Sequence, residues 1–215
     1  MIRAISFASC YVYSPSGRCI TSVRSRQLCA VLKAGDEAFL RRYALRVRRE
    51  ADAPSVLAEV FHGDSVLVPV PGSGPDAGAA PWVAAALARA LLRQGLGRAV
   101  WTGLRRVRPV PKSASAPGGR RPTVATHFRS FSVNAGRTVD AGGAPPADFV
   151  LIDDVVTKGR TLFAAAAALQ EAFPLARIRA FALLRTMGMV PDVERLIEPC
   201  RGEIRWQSGD THRTP

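Results

Sequence analysis

The stretch from Phe149 to Leu184 constrains this chain more than any other. Phe149-Val150-Leu151-Ile152 is an unbroken apolar run, the pattern of a strand buried on both faces. An alanine-rich helical pattern follows from about Thr161 to Phe173, where Pro174 stops it. Another strand is read from about Ile178 to Leu184. Strand, helix and strand in this order predict an α/β fold, a mostly parallel sheet flanked by helices.

The rest of the chain supplies further elements of the same kind. Residues 65–70, Ser-Val-Leu-Val-Pro-Val, read as another buried strand that breaks at Pro71-Gly72-Ser73-Gly74-Pro75. Asp76 is placed to cap an alanine-rich helix from about Ala79 to Gln94, stopped by Gly95. Residues 99–102 are a strand candidate, and residues 105–121 a long basic loop punctuated by Pro and Gly. A Gly/Pro-rich connector spans residues 134–148. Ahead of all this, residues 2–13 read as a strand ending in a turn at Ser14-Pro15-Ser16-Gly17. A helical region runs from about Ser22 to Glu50, interrupted at Gly35-Asp36. No repeat is visible. The organisation expected is an N-terminal strand and helical region over 1–62, serving as an extension or accessory hood, an α/β core over 63–186 and a C-terminal hood or tail over 187–215.

Composition narrows the class. A chain of 215 residues that is 47% hydrophobic buries one ample core, and no apolar run is long enough to span a bilayer. The opening residues lack the apolar stretch of a secretory signal, so a cytoplasmic protein is expected. Cys10, Cys19, Cys29 and Cys200 contain no C-x-x-C pair, and buried, reduced thiols suit that compartment. The formal charge of +13 calls for anionic company: phosphorylated small molecules, nucleic acid or an acidic partner. Charge alone does not choose among them. Arg42, Arg46 and Arg49 form one basic stripe on the second helical stretch, read first as a solvated face. His62, His127 and His212 are isolated in sequence and are expected to be surface or structural residues.

The chemistry concentrates in Asp153-Asp154-Val155-Val156-Thr157-Lys158-Gly159-Arg160-Thr161. A buried strand delivers two carboxylates to its C-terminal end, where open α/β sheets bind ligands. Gly159 then opens a helix whose free N–H groups, with the hydroxyls of Thr157 and Thr161, make an anion cradle. Lys158 and Arg160 add positive charge. Carboxylates beside a phosphate pocket suit a sugar phosphate. Successive strand side chains alternate, so both aspartates are expected to reach one ligand only where the backbone turns at the strand end.

This strip resembles the phosphoribosyl-diphosphate (PRPP) motif of type I phosphoribosyltransferases, in Asp153, Asp154, Thr157, Gly159 and Thr161; Lys158 stands where Thr or Ser is commoner. The resemblance implies that Asp153 and Asp154 hold the ribose hydroxyls and that Thr157, Lys158, Gly159, Arg160 and Thr161 receive the 5-phosphate. Pro71, Gly72, Ser73 and Gly74 resemble the family's diphosphate loop, especially in its competence-protein-F-like branch. The 105–121 loop stands where the flexible loop over the reaction centre lies. Arg120 and Arg121, with Phe128, Phe131 and Val133 after them, are similar to that branch's Arg-then-aromatic stretch. Lys112, Arg120 and Arg121 are the candidate cations for diphosphate departure. Magnesium is implied as cofactor, held mainly by PRPP and water, with Asp153 or Asp154 as the protein's candidate ligands.

The resemblance covers residues 65–184. The branch's four-cysteine zinc ribbon is missing, and Asp76-Ala77-Gly78-Ala79-Ala80-Pro81-Trp82 replaces its Arg-Gly-Phe-Asn-Gln stretch. The implied activity is transfer of a phosphoribosyl group from Mg-PRPP to an unidentified nitrogenous base. Two other readings stand beside it: a non-catalytic PRPP or nucleotide sensor, and a competence-like accessory protein acting with nucleic acid. A homodimer is a further expectation. Trp206, in the C-terminal segment, is either a base-stacking or a packing residue.

Overall fold

The computed structural model describes residues 2–52, 55–74, 82–111, 121–136, 146–188 and 190–215. Among them run, in order, β1 (Ala4–Tyr13), α1 (Ile20–Ala34), α2 (Glu37–Asp52), β2 (Val66–Pro69), α3 (Val83–Arg93), β3 (Ala99–Val100), β4 (Leu104–Arg106), α4 (Val124–Ser130), β5 (Phe131–Val133), β6 (Asp148–Val156), α5 (Arg160–Ala172), β7 (Arg177–Thr186), β8 (Ile197–Gln207) and β9 (Asp210–Thr214).

Seven strands make one sheet in the order β3-β2-β6-β7-β1-β8-β9. The pairs from β3 through β1 are parallel, and β8 and β9 add an antiparallel edge. The protein is therefore α/β, with a mostly parallel sheet covered by helices on both faces. β6 shows why its sequence is apolar without a break. Phe149 and Leu151 enter the core shared with α5, while Val150 and Ile152 enter the one shared with α1, α2 and α3. All four are fully buried. Each such side chain contributes roughly 1.5–3 kcal/mol of transfer free energy.

The helix boundaries follow local chemistry. Gly35 closes α1 in the left-handed region (φ 72°) and donates its N–H to Leu32 O. Asp36 then accepts from the Phe39 amide at 3.0 Å and starts α2. α3 begins after Trp82, whose indole Nε1 donates to Val70 O at 3.0 Å. Asp76, expected to cap this helix, lies outside the described residues. Burial pushes the Cys10 thiol up to about 12, so it stays protonated; Cys29 and Cys200 are also buried, and Cys19 caps α1.

Three expectations change. The N-terminal strand, expected in an extension or accessory region before the core, is an interior member of the sheet, between β7 and β8. The C-terminal segment expected as a hood or tail is a hairpin that completes the sheet's antiparallel edge. The segment read as a loop from residue 105 starts inside β4, which pairs with β5 in a separate two-stranded ribbon. Arg106 is buried there although arginine carries no apolar signal. No helix among the described residues is long and apolar enough to cross a membrane.

Candidate functional site

The two loops singled out by sequence leave neighbouring parallel strands at the same edge of the sheet. β2 pairs with β6 through Pro69 and Ile152, and Val70 N donates to Ile152 O at 2.9 Å. Residues 71–74 and the acidic strip therefore start side by side at the carboxyl ends of their strands. A small cleft of about 40 Å³ lies there, lined by Arg121, Asp153 and residues 155–162.

β6 continues through Val156, so Asp153 and Asp154 both lie within the strand and no turn separates them from it. Asp153 Oδ1 accepts from the Asp154 amide at 2.9 Å, and Asp154 Oδ1 accepts from the Val155 amide at 2.8 Å. Burial, followed by the neighbouring Asp154 charge, raises the Asp153 carboxyl well above the usual carboxylate range. Among the described residues no group of three or more His, Cys, Asp or Glu forms a metal cluster. Among the described residues Asp153 is the carboxylate lining this cleft, with Asp154 next to it in β6, and so sparse a protein ligand set fits a magnesium ion that keeps most of its ligands from substrate and water.

After β6, Thr157 and Lys158 are exposed and Gly159 is buried. Gly159 takes φ 80° and ψ 10° at the N-cap of α5, with no side-chain cap bond. A Cβ at that position would lie 2.5 Å from the Ile204 side chain, so glycine is required by both conformation and space. The first amides of α5 have no acceptor within the helix. Thr161 Oγ1 lies 3.5 Å from His127 Nε2. Burial, then the charges of Arg106 and Arg160, push the His127 ring down to about 4, which keeps it neutral at pH 7.

Lys158 and Arg160 do not face the cradle unpaired. Arg160 grips Asp210 through Nε at 2.6 Å and Nη2 at 2.5 Å, and Lys158 Nζ reaches the same carboxylate at 3.4 Å. The Arg160 hydrogen bond in particular holds the Asp210 carboxyl well below its usual range. Arg160 Nη1 also donates to Pro122 O at 3.3 Å, next to Arg121. Arg213 Nε donates to Thr157 O at 2.7 Å, and its Nη2 to Thr186 O. The phosphate-loop candidate is thereby clasped from the β8–β9 side.

The other loop is held from below. Arg106 donates to the carbonyls of Pro71, at 3.3 Å, and Gly72, and Val110 N donates to Ser73 O at 2.9 Å. At Gly72 and Gly74 an added Cβ would meet no atom of the described residues within 4 Å. Packing therefore does not demand glycine at either position, and their bareness leaves the backbone open to a ligand.

Of the residues nominated by sequence, Asp153, Thr157, Lys158, Gly159, Arg160, Thr161 and Arg121 line one cleft. Asp154, next in β6, does not line that cleft, and Pro71, Gly72, Ser73 and Gly74 adjoin just past the end of the neighbouring β2. Lys112 and Arg120 lie outside the described residues. Trp206 stacks one face on Phe163, with ring centroids 6.1 Å apart and planes 24° apart. Asp210, Arg213, Arg106 and His127 were not legible as site residues, because nothing local in sequence marks a contact made across tens of residues. No protein-family model matches the chain, and no curated protein matches it.

Proposed function

We propose that this chain is a phosphoribosyltransferase-like protein that binds Mg-PRPP and transfers its phosphoribosyl group to a nitrogenous base, releasing diphosphate. The observation that carries this reading is the side-by-side exit of the acidic strip with its threonine loop and the 71–74 loop from β6 and β2. A sugar bearing one phosphate at one end and a diphosphate at the other needs two anion cradles separated by a hydroxyl-binding pair.

In this reading Thr157 and Thr161, with the first amides of α5, receive the 5-phosphate. Asp153 and Asp154 hydrogen-bond the two ribose hydroxyls. The backbone of residues 71–74 approaches the diphosphate, and Arg106 fixes which way its peptides face. Arg121 supplies positive charge at the cleft as negative charge develops on the leaving diphosphate. Magnesium, when bound, offsets the diphosphate charge. Positioning and exclusion of water then supply most of the rate, since no strong general base among the described residues faces the cleft.

Calorimetric titration of Mg-PRPP into the wild type and an Asp153→Asn/Asp154→Asn double variant tests this. The expected result is micromolar binding to the wild type, lost in the variant, followed by diphosphate release with one member of a nucleobase panel. Binding without release for any base would replace the enzyme with a PRPP sensor. No binding to a folded wild type would end the PRPP reading.

A further inference from the structure

The two cations of the phosphate-loop candidate already hold an anion, and it belongs to the protein. Asp210 opens β9, the last strand at the sheet edge. Its carboxylate takes Arg160 with two hydrogen bonds and Lys158 with one contact, and its Oδ1 also accepts from Thr211 N at 2.8 Å. A bidentate guanidinium–carboxylate pair uses the same fork that grips a phosphate, so the two anions exclude one another.

The strand carrying Asp210 is built to move without dismantling the sheet. β8 is anchored by its long register with β1. β9 pairs with β8 alone within the sheet, and beyond that pairing it is tied by the Asp210 contacts, by the two carbonyl bonds of Arg213 and by the Arg213 guanidinium 5.5 Å from the Phe7 ring centroid. The hairpin turns at Ser208 (φ 51°) and Gly209 (φ 83°), a two-residue connection on which β9 can swing. The Asp210–Arg160 pair is partly solvated, with side-chain exposures of 28% and 21%, so exchange with a dissolved anion needs no opening of the core.

We propose that Asp210 is an internal stand-in for phosphate that holds β9 over the loop in the ligand-free protein, and that a phosphate-bearing ligand displaces it and releases the strand. The inference rests on reading residues 157–161 as a phosphate loop. Ligand affinity is then lowered by the fraction of molecules in which the strap is closed.

The test uses the full chain, with inorganic phosphate and Mg-PRPP as separate probes at constant ionic strength. Amide hydrogen exchange across residues 210–214 reports the strap, and Trp206, opposite Thr211 on the hairpin and stacked on Phe163, reports it by fluorescence. The expected result is that phosphate lowers protection of β9 in the wild type, and that Asp210→Asn binds phosphate roughly three- to tenfold more tightly. The phosphate-dependent emission change should vanish in Trp206→Phe. An Asp210→Asn protein of native circular dichroism that binds phosphate no more tightly than wild type overturns the proposal. So does phosphate binding that leaves β9 protection unchanged in the wild type, a result that needs no variant. If phosphate binds and frees β9 while Mg-PRPP does not bind, the strap stands and the phosphoribosyl reading falls. If Mg-PRPP binds but β9 stays protected and Asp210→Asn gains nothing, the strap falls and that reading stands. Failure of both probes to bind overturns both.

Discussion

Arg106 and Phe131 face each other across the β4–β5 ribbon, with the guanidinium 4.3 Å from the ring centroid. The stacked cation is almost wholly buried, and its hydrogen bonds run to Pro71 O, Gly72 O and Ser130 Oγ. A ribbon that stands outside the main sheet thus sets the backbone of a loop belonging to it. Arg106→Lys keeps the charge but replaces a planar fork by one ammonium, which cannot serve the three acceptors together. The expected cost is about 2–4 kcal/mol in urea unfolding, with weaker binding of magnesium diphosphate. Unchanged stability would mean that the loop is held by other contacts.

The Asp153 carboxyl should titrate far above an ordinary aspartate. Burial is the larger cause and the Asp154 charge the next, so Asp154→Asn should lower the Asp153 midpoint without restoring it to the exposed value. Carbon-13 detection of the carboxyl resonance through a pH series reads this directly. Identical Asp153 midpoints in wild type and variant would show that the two groups do not interact.

His127 should make the fold acid-sensitive in a defined window. Its ring titrates near 6.5 when exposed and near 4 in the fold. Between those values the unfolded chain takes up a proton that the folded protein refuses, so stability falls as pH drops from about 6.5 to about 4. Above that window His127 adds no pH dependence. His127→Gln should shrink the fall in melting temperature between pH 7.5 and pH 4.5 by several degrees. A difference between wild type and variant that is the same at both pH values would contradict this.

Gly159→Ala should lose about 2–3 kcal/mol, from a left-handed backbone and from collision with Ile204. Ile204→Ala removes the collision but not the backbone strain. A double-mutant cycle by chemical denaturation should therefore give a coupling of about 1 kcal/mol or more. Strict additivity would mean that the Ile204 side chain moves aside freely.

The parallel part of the sheet was legible because β2, β6 and β7 are buried on both faces and so carry unbroken apolar runs. The acidic strip was legible because its residues are consecutive. β1 was recognised as a strand but not as a central one, since strand order depends on partners at residues 177–207 that leave no mark on residues 4–13. β4 was hidden for a different reason: in Leu104-Arg105-Arg106 the inward residues are a leucine and an arginine, so no apolar alternation exists. Asp210 illustrates the same limit at the site. Its role comes from a hairpin that returns it to Lys158 and Arg160 some fifty residues later in the chain, and an aspartate after Ser208-Gly209 reads locally as an ordinary turn residue.

The place of β1 has a consequence for how the molecule is made. The first of the sheet's strands to be synthesised sits between two of the last three: β7 ends at Thr186 and β8 at Gln207. During translation β1 has no partner strand on either side until most of the chain has left the ribosome, although α1 and α2 can cover Tyr11 earlier. Pairing across that separation is slow, because the connecting chain must be ordered before the contact repays it. Assembly of the central sheet is accordingly a late, all-at-once event, and a nascent chain stalled before residue 177 offers an apolar strand with two open edges to any other chain nearby.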